Sequence, residues 1–221
     1  MSSAIPAPPV IRLAAIYRSL GLSEDPFAIG TIPADPAPLA PFVDGRERLV
    51  DWIRDRRAGS PSLALVIGAN GSGRSTLLAD VITHLAKEPA TRPIVVTPDA
   101  EKTTDARLLR AIVHAFGGEP IGRTGLELVN EIRQLAIASL PDALPVIAID
   151  GVEFTGSRLE LLRSLLTPPA DAPDGYDLRI VVTGNPDLSD RLARRRTLAH
   201  QVGRTIALAP LTNDEVGQLV R

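Results

Sequence analysis

The segment that constrains this chain most runs from residue 63 to residue 78, because three kinds of sequence follow one another in it. Residues 63–67 are all apolar, which predicts a short buried strand. Residues 68–73 then supply three glycines, and apolar residues recur at helical spacing after Arg74. Glycine tolerates positive φ, so we expect residues 68, 71 and 73 to point successive N–H groups inward and bind an anion where a helix begins.

Residues 68–75 read GANGSGRS, which fits the phosphate-binding P-loop pattern GxxxxG[K/R][ST] with arginine in the lysine position. In this pattern the backbone cradles phosphates, the Ser75 hydroxyl binds Mg²⁺, and Thr76 faces the α-phosphate. A glycine-rich turn that binds nothing, or a dinucleotide-binding turn, is the alternative, although the spacing is not GxGxxG. The predicted ATP-binding residues are Gly68, Ala69, Asn70, Gly71, Ser72, Gly73, Arg74, Ser75 and Thr76.

Arg74 departs chemically from the usual lysine. Its guanidinium is broad, planar and always charged, so it pairs with phosphate oxygens but does not easily take the tucked position of an ammonium. We therefore expect nucleotide binding to survive and hydrolysis to be slow or absent. Composition offers a plainer explanation: of 24 basic residues only Lys87 and Lys102 are lysine, so arginine at 74 also fits a general preference.

The rest of the chain alternates short apolar runs with helical patterns. Continuous apolar strands alternating with helices indicate a parallel sheet covered on both faces, so the predicted fold is a three-layer α/β sandwich with five strands. Further strands are predicted at 94–97, 146–149, 178–182 and 205–208, and helices at 10–20, 45–58, 75–87, 105–116, 126–140, 158–166, 187–196 and 213–221.

Two acids follow the predicted strand at 146–149. An apolar strand that ends in an acid is the Walker B arrangement, in which Asp150 would hold Mg²⁺ beside the phosphate loop. The usual position of the catalytic base, directly after this acid, is Gly151, which leaves Glu153 as the nearby candidate. The alternatives are that Asp150 caps a turn and that Glu153 is a solvated surface acid.

The next predicted strand leads into polar and basic residues. Asn185 is the candidate for contact with the γ-phosphate or the attacking water, Thr183 is the second choice, and an ordinary Asn-Pro turn is the alternative. Arginines 191, 194, 195 and 196 follow. Arg196 is the candidate arginine finger for a neighbouring subunit, but a solvated helix face or a local nucleic-acid patch fits the same cluster.

Composition excludes several other classes of function. A net charge of −2 gives no overall support for nucleic acid as a partner. The chain has no cysteine, which excludes disulfides, thiolate zinc sites and cysteine nucleophiles. No apolar run approaches the roughly 18 residues of a membrane span, and the N-terminus does not read as a secretory signal, so we expect no membrane association and a cytoplasmic protein.

With these motifs in order, the chain resembles AAA+ ATPases of the origin-recognition, ExeA-type and STAND groups. The resemblance runs from about residue 17 to the C-terminus. Besides the P-loop and Asp150, the segments that carry it are YRSLGLSEDPF (17–27), PFVDGRERLVDWI (41–53), IDGVE (149–153), TGNPDLSDRL (183–192) and LAPLTNDEVGQLV (208–220).

This resemblance implies strand order 5-1-4-3-2, ATP with Mg²⁺, assembly through the nucleotide site, and switching or remodelling of a protein partner. It places the segment at 41–53 next to the adenine, which adds Arg46 to the nucleotide contacts, and it supports Glu153 as the second acid. It divides the chain into a tail, short helix and proline-rich arm (1–44), an NTPase domain (45–211) and the start of an otherwise missing lid (212–221). If active, the chain is an ATP hydrolase; a non-hydrolysing scaffold and a DNA-associated regulator are the alternatives.

Overall fold

The computed structural model describes residues 39–56, 60–98, 103–170, 172–174, 176–212 and 215. The predicted helix at 10–20, almost all of the proline-rich arm, and most of the predicted C-terminal helix lie outside these residues. Within the described part of the chain, no helix is long and apolar enough to cross a membrane.

Helices and strands alternate along the described chain much as predicted. The helix expected at 45–58 begins earlier, at Ala40, because Pro41 in its first turn is compatible with helix initiation. The helix expected at 187–196 is divided in two, since Arg195 adopts an extended conformation. The elements are α1 (Ala40–Arg54), β1 (Leu63–Gly68), α2 (Arg74–Leu85), β2 (Thr91–Val96), α3 (Asp105–Ala115), α4 (Gly125–Ser139), β3 (Leu144–Ile149), α5 (Gly156–Leu166), β4 (Arg179–Gly184), α6 (Asp187–Ala193), α7 (Arg196–Ala199) and β5 (Val202–Leu208).

The five strands form one parallel sheet in the order β2-β3-β4-β1-β5. Read from the other edge, this is the predicted order 5-1-4-3-2, so the predicted fold is confirmed. The chain leaves β1 towards the far edge of the sheet and returns beside it with β4. Ligands of open α/β sheets bind where the strand order reverses, at the carboxyl ends of the strands.

Both faces of the sheet are covered. Along β1, Leu63, Leu65 and Ile67 enter one buried apolar cluster, whereas Ala64 and Val66 enter the other. Each face therefore has its own core, which explains why the central strands read as continuous apolar runs. This packing fixes the positions at which the strands end, and the polar residues that follow β1, β3 and β4 are brought to the same edge.

Candidate nucleotide-binding site

The phosphate loop joins β1 to α2, and its glycines serve two purposes. Gly71 and Gly73 have φ of +80° and +85°, a conformation that other residues rarely adopt. Gly68 does not adopt the positive φ that glycine permits. It is needed for space instead, because a Cβ at Gly68 would lie 2.9 Å from the carbonyl oxygen of Leu208 and against the Ser72 hydroxyl.

Arg74, at the start of α2, spans the opening between the loop and the end of β4. One guanidinium nitrogen donates to Asn185 Oδ1 at 2.9 Å, and the other terminal nitrogen donates to Asn70 Oδ1 at 3.0 Å. Both acceptors are neutral amide oxygens, so the positive charge of Arg74 is not cancelled by these contacts. The fork geometry of guanidinium makes this double contact feasible, whereas a lysine ammonium is a compact point donor.

Asp150 directly follows β3, and its carboxylate is held by the neighbouring strand. The buried Thr183 hydroxyl donates to Asp150 Oδ1 at 2.5 Å and accepts from the Gly151 N–H at 3.2 Å. Gly151 has φ of +71°, which turns the chain sharply after the acid. The carboxylate therefore has one oriented oxygen at the edge of the sheet.

Glu153 lies further along the same turn and is paired with α6. Its Oε1 is 3.3 Å from one terminal guanidinium nitrogen of Arg191, and the other terminal nitrogen of Arg191 lies 2.6 Å from Asp187 Oδ2. The Glu153 backbone carbonyl accepts from Arg158 at 2.9 Å. A candidate base is thus placed near the loop with a counter-ion beside it.

These groups share one open cleft of about 230 Å³. Small-molecule pockets usually measure roughly 300–1,000 Å³, so this cleft is smaller than a typical pocket that encloses a whole ligand. Six predicted site residues line it, namely Asn70, Arg74, Ser75, Asp150, Glu153 and Asn185.

The cleft also includes side chains that were not predicted as site residues. Thr183 was only a second choice for the end of β4, and Asp187 and Arg191 were not assigned to the site. Weak sequence patterns could have indicated them. Thr183 is a polar residue after an apolar run, and Asp187 and Arg191 have the spacing of four residues that allows an ion pair on a helix.

Arg46 and Arg196 do not line this cleft. Arg46 lies on α1 and pairs with Asp80 of α2 at 3.2 Å. Arg196 is the exposed first residue of α7, while its neighbour Arg195 pairs with Glu160. The adenine contact of Arg46 and the finger role of Arg196 remain predictions.

The cleft fits Mg²⁺ in its chemistry. Ser75 and Asp150 both line it and offer a hydroxyl and a carboxylate oxygen, the kind of ligand that Mg²⁺ prefers. Mg²⁺ is usually held by one or two protein oxygens together with nucleotide phosphates and water. In the described part of the chain, no cluster of three or more His, Cys, Asp or Glu forms a metal site by itself.

Several solved structures resemble this chain. The Cdc6p structure from Pyrobaculum aerophilum matches with a TM-score of 0.60 at 16% identity, covering 88% of this chain and 52% of that one. The ORC2 protein of Aeropyrum pernix, solved as ADPNP-ADP complexes, gives 0.62 at 18% identity over 85% and 52%. The ORC1 protein of Aeropyrum pernix, solved in complex with DNA, gives 0.66 at 17% identity over 87% and 50%.

At these identities the structures demonstrate a shared fold, and the chain spans about half the length of each of them. No curated protein matches the sequence. A family model described as an AAA domain matches residues 56–192, which is more than half of the chain. The predicted resemblance to AAA+ P-loop ATPases is thereby confirmed, and the chain belongs to the AAA domain family.

Proposed function

We propose that this chain is an ATP-binding module that hydrolyses ATP slowly and uses the nucleotide as a conformational switch or to remodel a partner. The observation that carries the proposal is the cleft itself. It combines a P-loop arginine and serine with an acid after β3, a second acid, and an amide after β4. A turn that binds nothing does not require an arginine, a serine, two acids and an amide together where the strand order reverses.

Each group has a role consistent with its place. The loop amides and the first turn of α2 would bind the phosphates, with Arg74 adding positive charge. Ser75 and Asp150 would hold Mg²⁺, which supplies neutralisation of the charge on the phosphates. Asn185 would orient the terminal phosphate or the water, and Glu153 would accept the proton of that water.

The same geometry supports slow turnover. Arg74 makes hydrogen bonds to Asn70 and Asn185, and these must be exchanged for phosphate contacts when nucleotide binds. Glu153 Oε1 is paired with Arg191 at 3.3 Å, so a counter-ion lies beside the candidate base. The Arg74 contacts therefore compete with phosphate binding, and Glu153 begins beside a counter-ion.

A non-hydrolysing scaffold is the second candidate, and the Arg74 contacts favour it. If the guanidinium stays on both asparagines, it narrows the entrance to the loop and nucleotide binds weakly or not at all. The Arg74→Lys variant separates the two functions, because lysine cannot bridge both amides in the same way. A switch predicts faster turnover in this variant, whereas a scaffold predicts no turnover in either protein.

The test is ATP binding by calorimetry and ATP hydrolysis by phosphate release, both with Mg²⁺. The proteins compared are the wild type, Asp150→Ala and Glu153→Gln. We expect measurable binding and slow release in the wild type, loss of Mg²⁺-dependent binding in Asp150→Ala, and binding without release in Glu153→Gln. Equal release rates in all three proteins would rule out catalysis by this site.

The resemblance to the Aeropyrum pernix ORC1 protein in complex with DNA raises DNA as a further partner. Arg194 and Arg196 are exposed after α6 and provide local positive charge. Binding through phosphates would weaken steeply as salt rises. Arg196→Ala distinguishes two roles: lower ATP turnover that depends on protein concentration indicates a finger acting on a neighbouring copy, and weaker salt-sensitive DNA binding indicates a nucleic-acid contact.

A further inference from the structure

The Thr183 hydroxyl is a polar group inside a strand that is otherwise built for packing. Thr183 is 4% exposed and follows Val181 and Val182, which are fully buried in β4. Valine has nearly the same shape as threonine, so packing alone does not require the hydroxyl. Burying an unpaired hydroxyl costs free energy, but the Thr183 hydroxyl makes two hydrogen bonds.

Strand register sets those partners. Ile149 of β3 pairs with Val182 of β4, which brings Thr183 level with Asp150 just beyond the paired residues. On its other side Thr183 pairs with Val66 of β1, two residues before the phosphate loop. Thr183 therefore lies between the strand that leads into the loop and the acid that would bind the metal.

A hydroxyl has one hydrogen, and Thr183 uses it on Asp150 Oδ1 at 2.5 Å. Its oxygen accepts from the Gly151 N–H at 3.2 Å, which fixes the direction in which that hydrogen points. The bond selects one rotamer of the Asp150 carboxylate and uses one lone pair of Oδ1. The carboxylate keeps Oδ2, and its remaining acceptor capacity, for a ligand in the cleft that Ser75 also lines.

We propose that Thr183 is a positioning residue that holds Asp150 in the orientation needed to bind Mg²⁺ with a nucleotide. The inference rests on the proposed nucleotide function and adds a residue to its metal site. Outer-shell hydrogen bonds to metal ligands typically contribute 10–100-fold to metal affinity. Thr183 acts through Asp150, so nucleotide binding without metal does not depend on its hydroxyl.

The test compares Thr183→Val with Thr183→Ser in the full chain. The probe is a fluorescent non-hydrolysable ATP analogue, titrated first in EDTA and then at fixed concentration with Mg²⁺. In Thr183→Val we expect the half-saturating Mg²⁺ concentration to rise about 10–100-fold while affinity in EDTA stays within about twofold of wild type. Thr183→Ser keeps the hydroxyl and should restore most of the Mg²⁺ response.

Asp150→Ala, which removes the acceptor of the Thr183 hydrogen bond, provides the control for coupling. If Thr183 acts only through the Asp150 carboxylate, adding Thr183→Val to Asp150→Ala should not weaken the residual Mg²⁺ response further. An unchanged Mg²⁺ response in Thr183→Val overturns the inference, and so does equal weakening with and without metal, which indicates general damage. Failure of the wild type to bind the analogue at all instead refutes the proposed function, and with it this inference.

Discussion

Two loop glycines, Gly71 and Gly73, have nearly the same backbone conformation but different surroundings, which makes them a matched pair for mutation. Their φ values are +80° and +85°. Nothing lies within 4 Å of a Cβ built on Gly71, whereas a Cβ on Gly73 would lie 2.7 Å from Cε1 of Phe42. Gly71→Ala therefore tests backbone strain alone, and Gly73→Ala tests the same strain together with a steric clash.

The expected magnitudes follow from these two contributions. A left-handed conformation costs an L-residue about 1–2 kcal/mol, which is the whole expected loss of stability in Gly71→Ala. Overpacking adds about 1–3 kcal/mol, so Gly73→Ala should lose about 2–5 kcal/mol of the free energy of unfolding. The excess measures the contact between α1 and the phosphate loop, since Phe42 belongs to α1.

Urea denaturation, followed by the fluorescence of Trp52, measures both variants, because Trp52 is the chain's one tryptophan and is buried. Phe42→Ala is the control background: there Gly71→Ala and Gly73→Ala should cost about the same. If Gly71→Ala and Gly73→Ala are equally destabilised in the wild-type background, the contact with Phe42 has no energetic weight and the reasoning fails.

Three further predictions concern other contacts. Arg179→Met should cost about 3–5 kcal/mol in urea denaturation, because the buried guanidinium pairs with Asp177 at 3.1 Å and its loss leaves that charge alone. Burial raises the pKa of Tyr176 from 10.0 to about 12, so stability falls as the pH rises from 10 towards 12, and Tyr176→Phe should remove that fall. Arg191→Gln should raise ATP turnover several-fold by removing the contact on Glu153, and this effect should disappear in a Glu153→Gln background. The free energy of unfolding should change by less than about 1 kcal/mol, because the pairs of Arg191 with Glu153 and Asp187 are largely exposed.

The sequence predicted all five strands to within three residues at each end. β1, β3 and β4 are buried on both faces and contain the predicted apolar runs, although residues 144–145 of β3 and 183–184 of β4 were missed. β2 and β5 lie at the edges, and their first residues were missed, because Arg92 and Pro93 in β2 and Gly203 and Arg204 in β5 do not look like strand residues. An edge strand tolerates proline, since one side of its backbone has no partner in the sheet.

The site residues that belong to one local motif could be predicted from the sequence. The contacts that join two strands, or a strand end and a helix, could not. Residues 68–75 and Asp150 follow from local pattern. The bond between Thr183 and Asp150 depends on the register of β3 and β4, and the Arg191 pair with Glu153 depends on where α6 packs. Neither contact produces a periodic pattern or a fixed residue spacing in the sequence from which it could be predicted.

The contacts of several arginines give a physical reason for the preference for arginine over lysine in this chain. Arg92, Arg158 and Arg179 each donate to main-chain carbonyls that are distant in sequence, at Phe116, at Thr103 and at Pro61 and Asp55 respectively. A forked guanidinium can tie two segments together, whereas a lysine ammonium offers no such planar fork.

Arg74 likewise connects two segments, through Asn70 and Asn185. An arginine at this position therefore fits the general use of arginine in this chain and is not by itself a sign that nucleotide binding has been lost. What matters for function is that this bridge lies where phosphate would bind. Under the proposed function ATP would compete with these two hydrogen bonds, so we expect Arg74→Lys to bind ATP more tightly than the wild type.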